Sequence, residues 1–387
     1  MNPLRLLSTR RTFRALPLVA TCAAALALPA AALAQATIKV GEFACLTGKD
    51  ATFGQSQNKG IRLALEEINA AGGVLGKKIE LITEDNQSKP GESATVAKKL
   101  LSRDKVVAIL GEVTSSRSLE VAPLAQGAKI PMIASGATNA KVTQIGNYVF
   151  RVCFIDDFQG QVMAKFAKDD LKAKKVATLT SVSSAYSVGL SKVFKETFVA
   201  SGGTVVAEQK FNEGDKDFRA QLTAIKAAAV DAVFIPGYYT EAALIARQAR
   251  SLGITQPLFG GDGWESEKLL EIGGEALNGT FYSTHFTPEN KDAKVTEFVK
   301  KFKGRWNNET PDAYAALGYD ALYVLVDSIK RAGTTDGAKL RDAIAATKNF
   351  SGASGVTTLD KDRNASKPAT IIAIKDAKLA FHKTVAP

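Results

Sequence analysis

The sequence predicts an α/β protein of two doubly wound parallel-sheet lobes joined by hinge crossovers, and three observations predict it. Short β-rich runs alternate with helical patterns, the signature of βαβ units and a parallel sheet. The alternation begins again after a first round, so two such sheets are expected. Two glycine- and hydroxyl-rich turns, Gly111-Glu112-Val113-Thr114-Ser115-Ser116 and Ser135-Gly136-Ala137-Thr138, follow apolar runs at 106–110 and 130–134. At the carboxyl edge of an open α/β sheet, where ligands of these folds bind, such turns leave N–H groups and hydroxyls free to hold an anion.

Each element has its own signal. Residues 37–44 read as the first strand, after which Ile61, Leu65 and Ile68 fall on one helical face. Residues 78–83 form the next strand, and 90–103 a helix opened by Pro90. The continuous apolar run 106–110 suits a parallel strand covered on both faces. The second round places strands at 176–180, 204–207, 231–235 and 257–260, with helices between them. In the tail, Leu317, Ala321, Leu325 and Ile329 stripe a long helix, 336–347 forms another, and 370–374 and 379–382 read as two closing strands. A chain that ends this way can return to complete both lobes. The expected division is 35–156 with 286–360 for one lobe and 157–285 with 361–387 for the other.

The chain starts with an export segment. Arg5, Arg10, Arg11 and Arg14 form a basic start, and 16–33 is uncharged and rich in Ala and Leu. Ala32-Leu33-Ala34 supplies a small-x-small cleavage pattern, so cleavage after Ala34 and a soluble periplasmic protein are expected. Pro17, Pro29 and the small-residue end favour cleavage over retention as a membrane anchor. Thr9-Arg10-Arg11-Thr12-Phe13 resembles a twin-arginine signal, leaving the export route open. Thr21 before Cys22 is bulkier than the residue that precedes a lipidated cysteine.

Removing 34 of 387 residues leaves 353, which suits two domains; a monomer is expected. The four arginines of the segment leave 46 basic against 39 acidic residues, a net +7 scattered along the chain. Without an aromatic-interleaved basic stripe, nucleic acid is not expected as a partner. Cys45 and Cys153 read as buried, inert thiols.

The residues offer no catalytic set and no cofactor motif. With only two histidines, His285 and His382, no cluster has metal-ligand spacing. Gly261-Asp262-Gly263 lacks the third glycine of a dinucleotide fingerprint. Ser56-Gln57-Asn58-Lys59 and Ser102-Arg103-Asp104-Lys105 match Ser-x-x-Lys, but the partner motifs of that hydrolase mechanism are missing. Ser56 is expected instead to begin a helix. Capture of a small anionic solute is the chemistry that remains.

Several segments resemble one family. Gly111-x-x-x-Ser115-Ser116, 133–139, Phe150-Arg151 and Asp157-x-Gln159-Gly160 are similar to the leucine/isoleucine/valine-binding proteins, type I periplasmic solute-binding proteins of ABC importers. So are Gly237-Tyr238-Tyr239-x-Glu241, 247–250 and Gly260-Gly261-Asp262-Gly263, and the likeness spans about residues 38–375. The resemblance implies that Ser115 and Thr138 donate to a ligand carboxylate from the 111–116 and 135–138 turns. It implies that Gly136, beside Ala137, offers its carbonyl to the α-amine. Tyr186 and Tyr238 would close over the ligand from the second lobe, Asp262 would face its ammonium, and Phe53 would lie near its side chain. An inner-membrane permease is the implied partner.

Each assignment has a plainer competitor. Ser115 and Thr138 could cap helices, Tyr238 and Tyr239 could be surface aromatics, Asp262 could be a turn residue, and Trp264 is expected to serve packing. Where the family has glutamate, Asp262 is one methylene shorter, withdrawing the carboxylate by about 1.5 Å. A deeper ligand, a bridging water, or a solute that is not a plain α-amino acid would each meet that difference.

Overall fold

A computed structural model describes residues 37–386 together with Thr12. The export segment ending at Ala34 lies, apart from Thr12, outside the described residues. Five strands, β1 (Ile38–Ala44), β2 (Ile79–Asp85), β3 (Ala108–Leu110), β4 (Met132–Ala134) and β5 (Val149–Arg151), form one wholly parallel sheet. Its order is β2-β1-β3-β4-β5. β3, β4 and β5 are buried along their whole length, as strands covered by helices on both faces must be.

The second sheet takes β6 (Lys175–Ser181), β7 (Thr204–Phe211), β8 (Ala232–Phe234), β9 (Leu258–Gly260) and β10 (Thr280–Thr284), again parallel. A small antiparallel sheet of β11 (Phe350–Gly352), β12 (Gly355–Leu359) and β13 (Ala365–Ser366) precedes β14 (Ala369–Lys375) and β15 (Lys378–Val385). The last two strands extend the second sheet antiparallel to β10, giving the order β15-β14-β10-β9-β8-β6-β7. The chain passes between the two sheets after β5, after β10 and between β13 and β14.

Some local expectations need correction. The helix expected from Pro90 begins at Glu92, because Gly91 before it sits in the left-handed region at φ 82°, and its end at Lys99–Asp104 widens into π geometry. Ser56 does not begin a helix; it lies inside Ala51–Ala70, which starts five residues earlier. Both closing strands join the second sheet, while the helices before them serve the first.

The tail is tied to the first lobe by close helix packing. Helix Ala313–Ala332 lies against Ala51–Ala70, and their backbones approach at two glycines. A Cβ on Gly60 would fall 1.9 Å from the Ala315 carbonyl oxygen, and one on Gly318 would fall 2.5 Å from that of Gln57. Asp320, fully buried on the same helix, accepts from the Ala353 and Ser354 N–H groups at 2.6 and 2.9 Å and so fixes the β11–β12 hairpin.

Gly60→Ala should therefore destabilise the fold despite alanine's better helix propensity. Overpacking costs about 1–3 kcal/mol, against about 1 kcal/mol gained in a helix. Gly127, helical with nothing within 4 Å of an added Cβ, carries only the gain. Thermal unfolding should show Gly60→Ala melting several degrees below Gly127→Ala; equal melting temperatures would refute the close contact.

Candidate functional site

The two turns foreseen from sequence leave β3 and β4 side by side. Gly111 leaves β3 at φ 123°, and a Cβ there would meet the Phe43 carbonyl oxygen at 2.2 Å, so only glycine fits the bend. Glu112 then turns its carboxyl inward, where the Asn86 amide and the Thr114 hydroxyl donate to it. Burial pushes that carboxyl up to about 7. Thr114, not Ser115, occupies the cap position of helix Ser115–Ala128. Ser115 instead accepts the Asn139 N–H on its Oγ at 3.1 Å, joining the first turn to the second.

The second turn is held from several sides. Ser135 donates to Gln57, the Gly136 N–H donates to the Glu112 carbonyl at 3.4 Å, and Asp156 N–H donates to the Thr138 carbonyl at 2.9 Å. The Arg151 guanidinium, fully buried at the end of β5, donates to the Ala137 and Asn139 carbonyls. The Thr138 hydroxyl is buried beside the Asp156 carboxyl and has no well-aligned hydrogen bond within the protein.

Facing these turns is an aromatic cluster from both lobes. Tyr186, in helix Ala185–Ala200, and Tyr238, at the cap of Tyr239–Ser251, stack with ring centroids 5.4 Å apart and planes 5° apart. Phe53 of the first lobe meets Tyr238, Tyr239 and Tyr314 edge-on, at 5.5, 5.0 and 4.9 Å. The Tyr238 hydroxyl is likewise buried, beside Ser184, without a well-aligned hydrogen bond. Trp264 donates its indole N–H to the Ile235 carbonyl at 2.9 Å, the packing role expected of it.

Asp262 opens the short turn after β9. Its Oδ1 accepts from Gln159 Nε2 at 3.0 Å and its Oδ2 lies 2.9 Å from His285 Nε2. Its own N–H donates to Gln159 Oε1 at 2.8 Å, and its carbonyl accepts from the Tyr314 hydroxyl at 2.8 Å. Burial, then the neighbouring Asp262 charge, pushes the Asp156 carboxyl well above its usual range, while burial lowers the His285 imidazole. Asp156 Oδ2 and His285 Nδ1 are both buried without a protein partner.

Direct contacts join the lobes around this cluster. Asn139 Nδ2 donates to the Ala185 carbonyl at 2.6 Å, and the Ala185 N–H donates to Ser116 Oγ at 3.0 Å. Tyr239 donates to the Lys49 carbonyl at 2.8 Å, and Glu213 reaches Lys49 at 3.2 Å and Arg117 at 3.8 Å. Phe53, Ser115, Ala137, Thr138, Tyr186, Tyr238 and Asp262 are each no more than 5% exposed, and Gly136 is buried with them.

Sequence reasoning gave no role to Asp156, Gln159, His285 or Tyr314. Gln159 stands in the Asp157-x-Gln159-Gly160 motif, and His285 has no metal-ligand spacing to single it out. Nothing local singled out Asp156 or Tyr314. Among the described residues no group of three or more His, Cys, Asp or Glu could hold a metal ion, and no helix is long and apolar enough to cross a membrane. Ser56 donates to Asp312 while Lys59 pairs with Glu309, so that Ser-x-x-Lys match forms no Ser–Lys pair. Cys45 and Cys153 are free and buried, and burial pushes the Cys153 thiol up to about 12.

Residues 37–378 match the family described as periplasmic binding protein. The chain is 34% identical to a Leu/Ile/Val-binding protein, BraC3, of Rhizobium johnstonii over 83% of this chain and 86% of that protein. It is 31% identical to a leucine-, isoleucine-, valine-, threonine- and alanine-binding protein of Pseudomonas aeruginosa, over 81% and 83%. A leucine-binding protein, LivK, of Thermotoga maritima superposes with a TM-score of 0.88 at 41% identity, covering 91% of this chain and 99% of that one. A solute-binding protein of Rhodopseudomonas palustris BisB5, solved with 3,4-dihydroxybenzoic acid, gives 0.80 at 28% identity, over 90% and 97%.

Glu112 gives the first turn a pH signature. Its folded-state pKa of about 7 exceeds its ordinary 4.5, so between these values the folded chain holds a proton that the unfolded chain releases. Its contribution to stability therefore falls as pH rises through that window and levels off above it. Denaturant unfolding of wild type and Glu112→Gln across the window should show the variant gaining relative to wild type as pH rises. Parallel curves would refute the assignment.

Proposed function

Because the chain belongs to the periplasmic binding protein family, whose members bind solutes rather than catalyse reactions, we propose that it is the substrate-binding component of an ABC importer. It captures a small amino acid, branched-chain or otherwise apolar, by closing its lobes, and delivers it to an inner-membrane permease. The proposal includes export to the periplasm with cleavage after Ala34, and lobes divided at 35–156 with 286–360 and 157–285 with 361–387. Its main support is one observation: the turn at 135–138 packs through Gly136 against Tyr314 of an aromatic cluster in which Phe53 of one lobe meets Tyr238, stacked on Tyr186, of the other.

In this reading Ser115 and Thr138 hold the solute carboxylate, with the backbone of 136–138. The Gly136 carbonyl and Asp262 take the ammonium, while Phe53, Tyr186 and Tyr238 enclose the side chain. Micromolar affinity corresponds to about 8 kcal/mol, beyond an association cost of about 4–15 kcal/mol. Charge-assisted hydrogen bonds give about 1.5–3 kcal/mol each, and a buried aliphatic side chain about 1.5–3 kcal/mol. Those terms reach the total only in a site that excludes water, which is why lobe closure belongs to the mechanism.

A second reading keeps the site and removes the amine. The relative solved with 3,4-dihydroxybenzoic acid supports it, and it needs no counter-charge from Asp262. Leucine, isoleucine or valine at about a hundred times Kd should stabilise the protein by about 2.7 kcal/mol in a thermal-shift screen; no response to any of the three would end the amino-acid reading. Asp262→Asn should weaken leucine binding at least about tenfold and leave an aromatic acid unaffected in calorimetry. Equal losses for both ligands would remove Asp262 from the ammonium site.

A further inference from the structure

His285 is buried among groups that fix its state. A carboxylate only accepts hydrogen bonds, so the ring nitrogen facing Asp262 Oδ2 at 2.9 Å, Nε2, carries the hydrogen. The other nitrogen, Nδ1, is buried with no protein partner, and the Phe154 ring lies over the imidazole with centroids 3.7 Å apart. A second N–H at Nδ1 would be an unsatisfied donor beside an aromatic face, a costly arrangement. The charged groups around it act from separate elements: Asp262 from the turn after β9 and Lys367 from the segment between β13 and β14, whose cation disfavours a second positive charge. Asp156 and Cys153 face Asp262 from the segment after β5, with their protons held by burial.

Asp262 is thus held on both oxygens by two side chains, Gln159 and His285. Gln159 is itself oriented, since its Oε1 accepts from the Asp262 N–H and from Ser283 Oγ at 2.9 Å. The carboxylate is fixed in direction while its charge stays uncompensated by these two partners, and an uncompensated buried charge seeks a cation.

We propose that His285 is a positioning and specificity-determining residue: as a neutral donor it locks Asp262 without cancelling its charge, so the cleft selects a solute bearing an ammonium group over its amine-free counterpart. This rests on the amino-acid reading above. A cation at position 285 would pair with Asp262 internally, and the solute ammonium would lose its partner. The same change would leave an amine-free carboxylate bound, because that end of the solute is held by the other lobe.

Two measurements test it. Ring nitrogen-15 NMR of the ligand-free protein at about pH 7 should show His285 neutral with the proton on Nε2; the chain has two histidines, so substituting the exposed one, His382→Gln, assigns the signal. A cationic His285 overturns the inference, and this arm needs no variant of uncertain folding. The second measurement is the ratio of affinities for L-leucine and 4-methyl-2-oxopentanoate. His285→Gln, a neutral donor, should keep the wild-type ratio within about threefold, whereas His285→Arg should lower it at least about tenfold. A merely structural role would weaken both ligands alike and leave the ratio unmoved, and an unmoved ratio in His285→Arg overturns the inference. A wild type that binds no amino acid ends the amino-acid reading instead, so the two failures are told apart.

Discussion

Asn139 is the residue on which the junction of the lobes depends. Its N–H donates to Ser115 at 3.1 Å, its carbonyl accepts from Arg151 at 2.7 Å, and its side-chain amide donates to Ala185 of the other lobe at 2.6 Å. One residue therefore ties the turn after β3 to the turn after β4 through its backbone, and both to the opposing helix through its side chain. These groups are buried, so each lost bond leaves a polar group unsatisfied at about 1–3 kcal/mol. Gly189 makes the approach possible, because a Cβ there would lie 2.4 Å from the Asn139 amide nitrogen. The position of Ser115 and Thr138 relative to the second lobe follows from this network.

Legibility in the sequence tracks how local each signal is. The turns at 111–116 and 135–138 were readable because an apolar run followed by glycine and hydroxyls is a short-range pattern, and the structure places both at the carboxyl edge of one sheet. Tyr186, Tyr238, Phe53 and Asp262 came from a resemblance, and the structure gathers them with Tyr314 where the lobes meet. The pairing of Asp262 with Gln159 and His285 could not be read, since those residues lie 103 and 23 positions away. Ser115 shows the limit within a motif: a serine at a helix start reads as a cap, and only the approach of Asn139 makes it a bridge. β5 was missed because three residues carry no periodicity, and β10 because Thr-Phe-Tyr-Ser-Thr is polar for a buried strand.

The buried polar atoms divide into two kinds. Those of Asn139 and Gln159, and the two terminal nitrogens of Arg151, are spent within the protein, which fixes the turns and Asp262 in direction. The Thr138 and Tyr238 hydroxyls, Asp156 Oδ2 and His285 Nδ1 have no well-aligned protein hydrogen bond, and each carries a desolvation cost in this lobes-together arrangement. Contacts such as Glu213 with Lys49 and Arg117 offset part of that cost from the rim. A solute that satisfies the inner atoms lowers the free energy of this arrangement alone, because the two halves of the cluster belong to different lobes. Differential binding of that kind is what a population shift between open and closed forms requires.

The two lobes contribute different chemistry to that junction. The first offers backbone dipoles and hydroxyls at helix and strand ends, which suit a carboxylate and cost little to hold in place. The second offers a carboxylate of its own, fixed by neutral donors and flanked by stacked tyrosines. A solute with both a carboxylate and an ammonium engages both halves, whereas one with a carboxylate alone gains most of its polar contacts from the first. On the proposed reading, closure is driven most strongly by the solute whose two charged ends match the two lobes, and selectivity becomes a property of the closed form. The single methylene by which Asp262 falls short of glutamate fits this picture. A shorter arm gripped by Gln159 and His285 has one direction to point, and what it loses in reach it recovers in orientation.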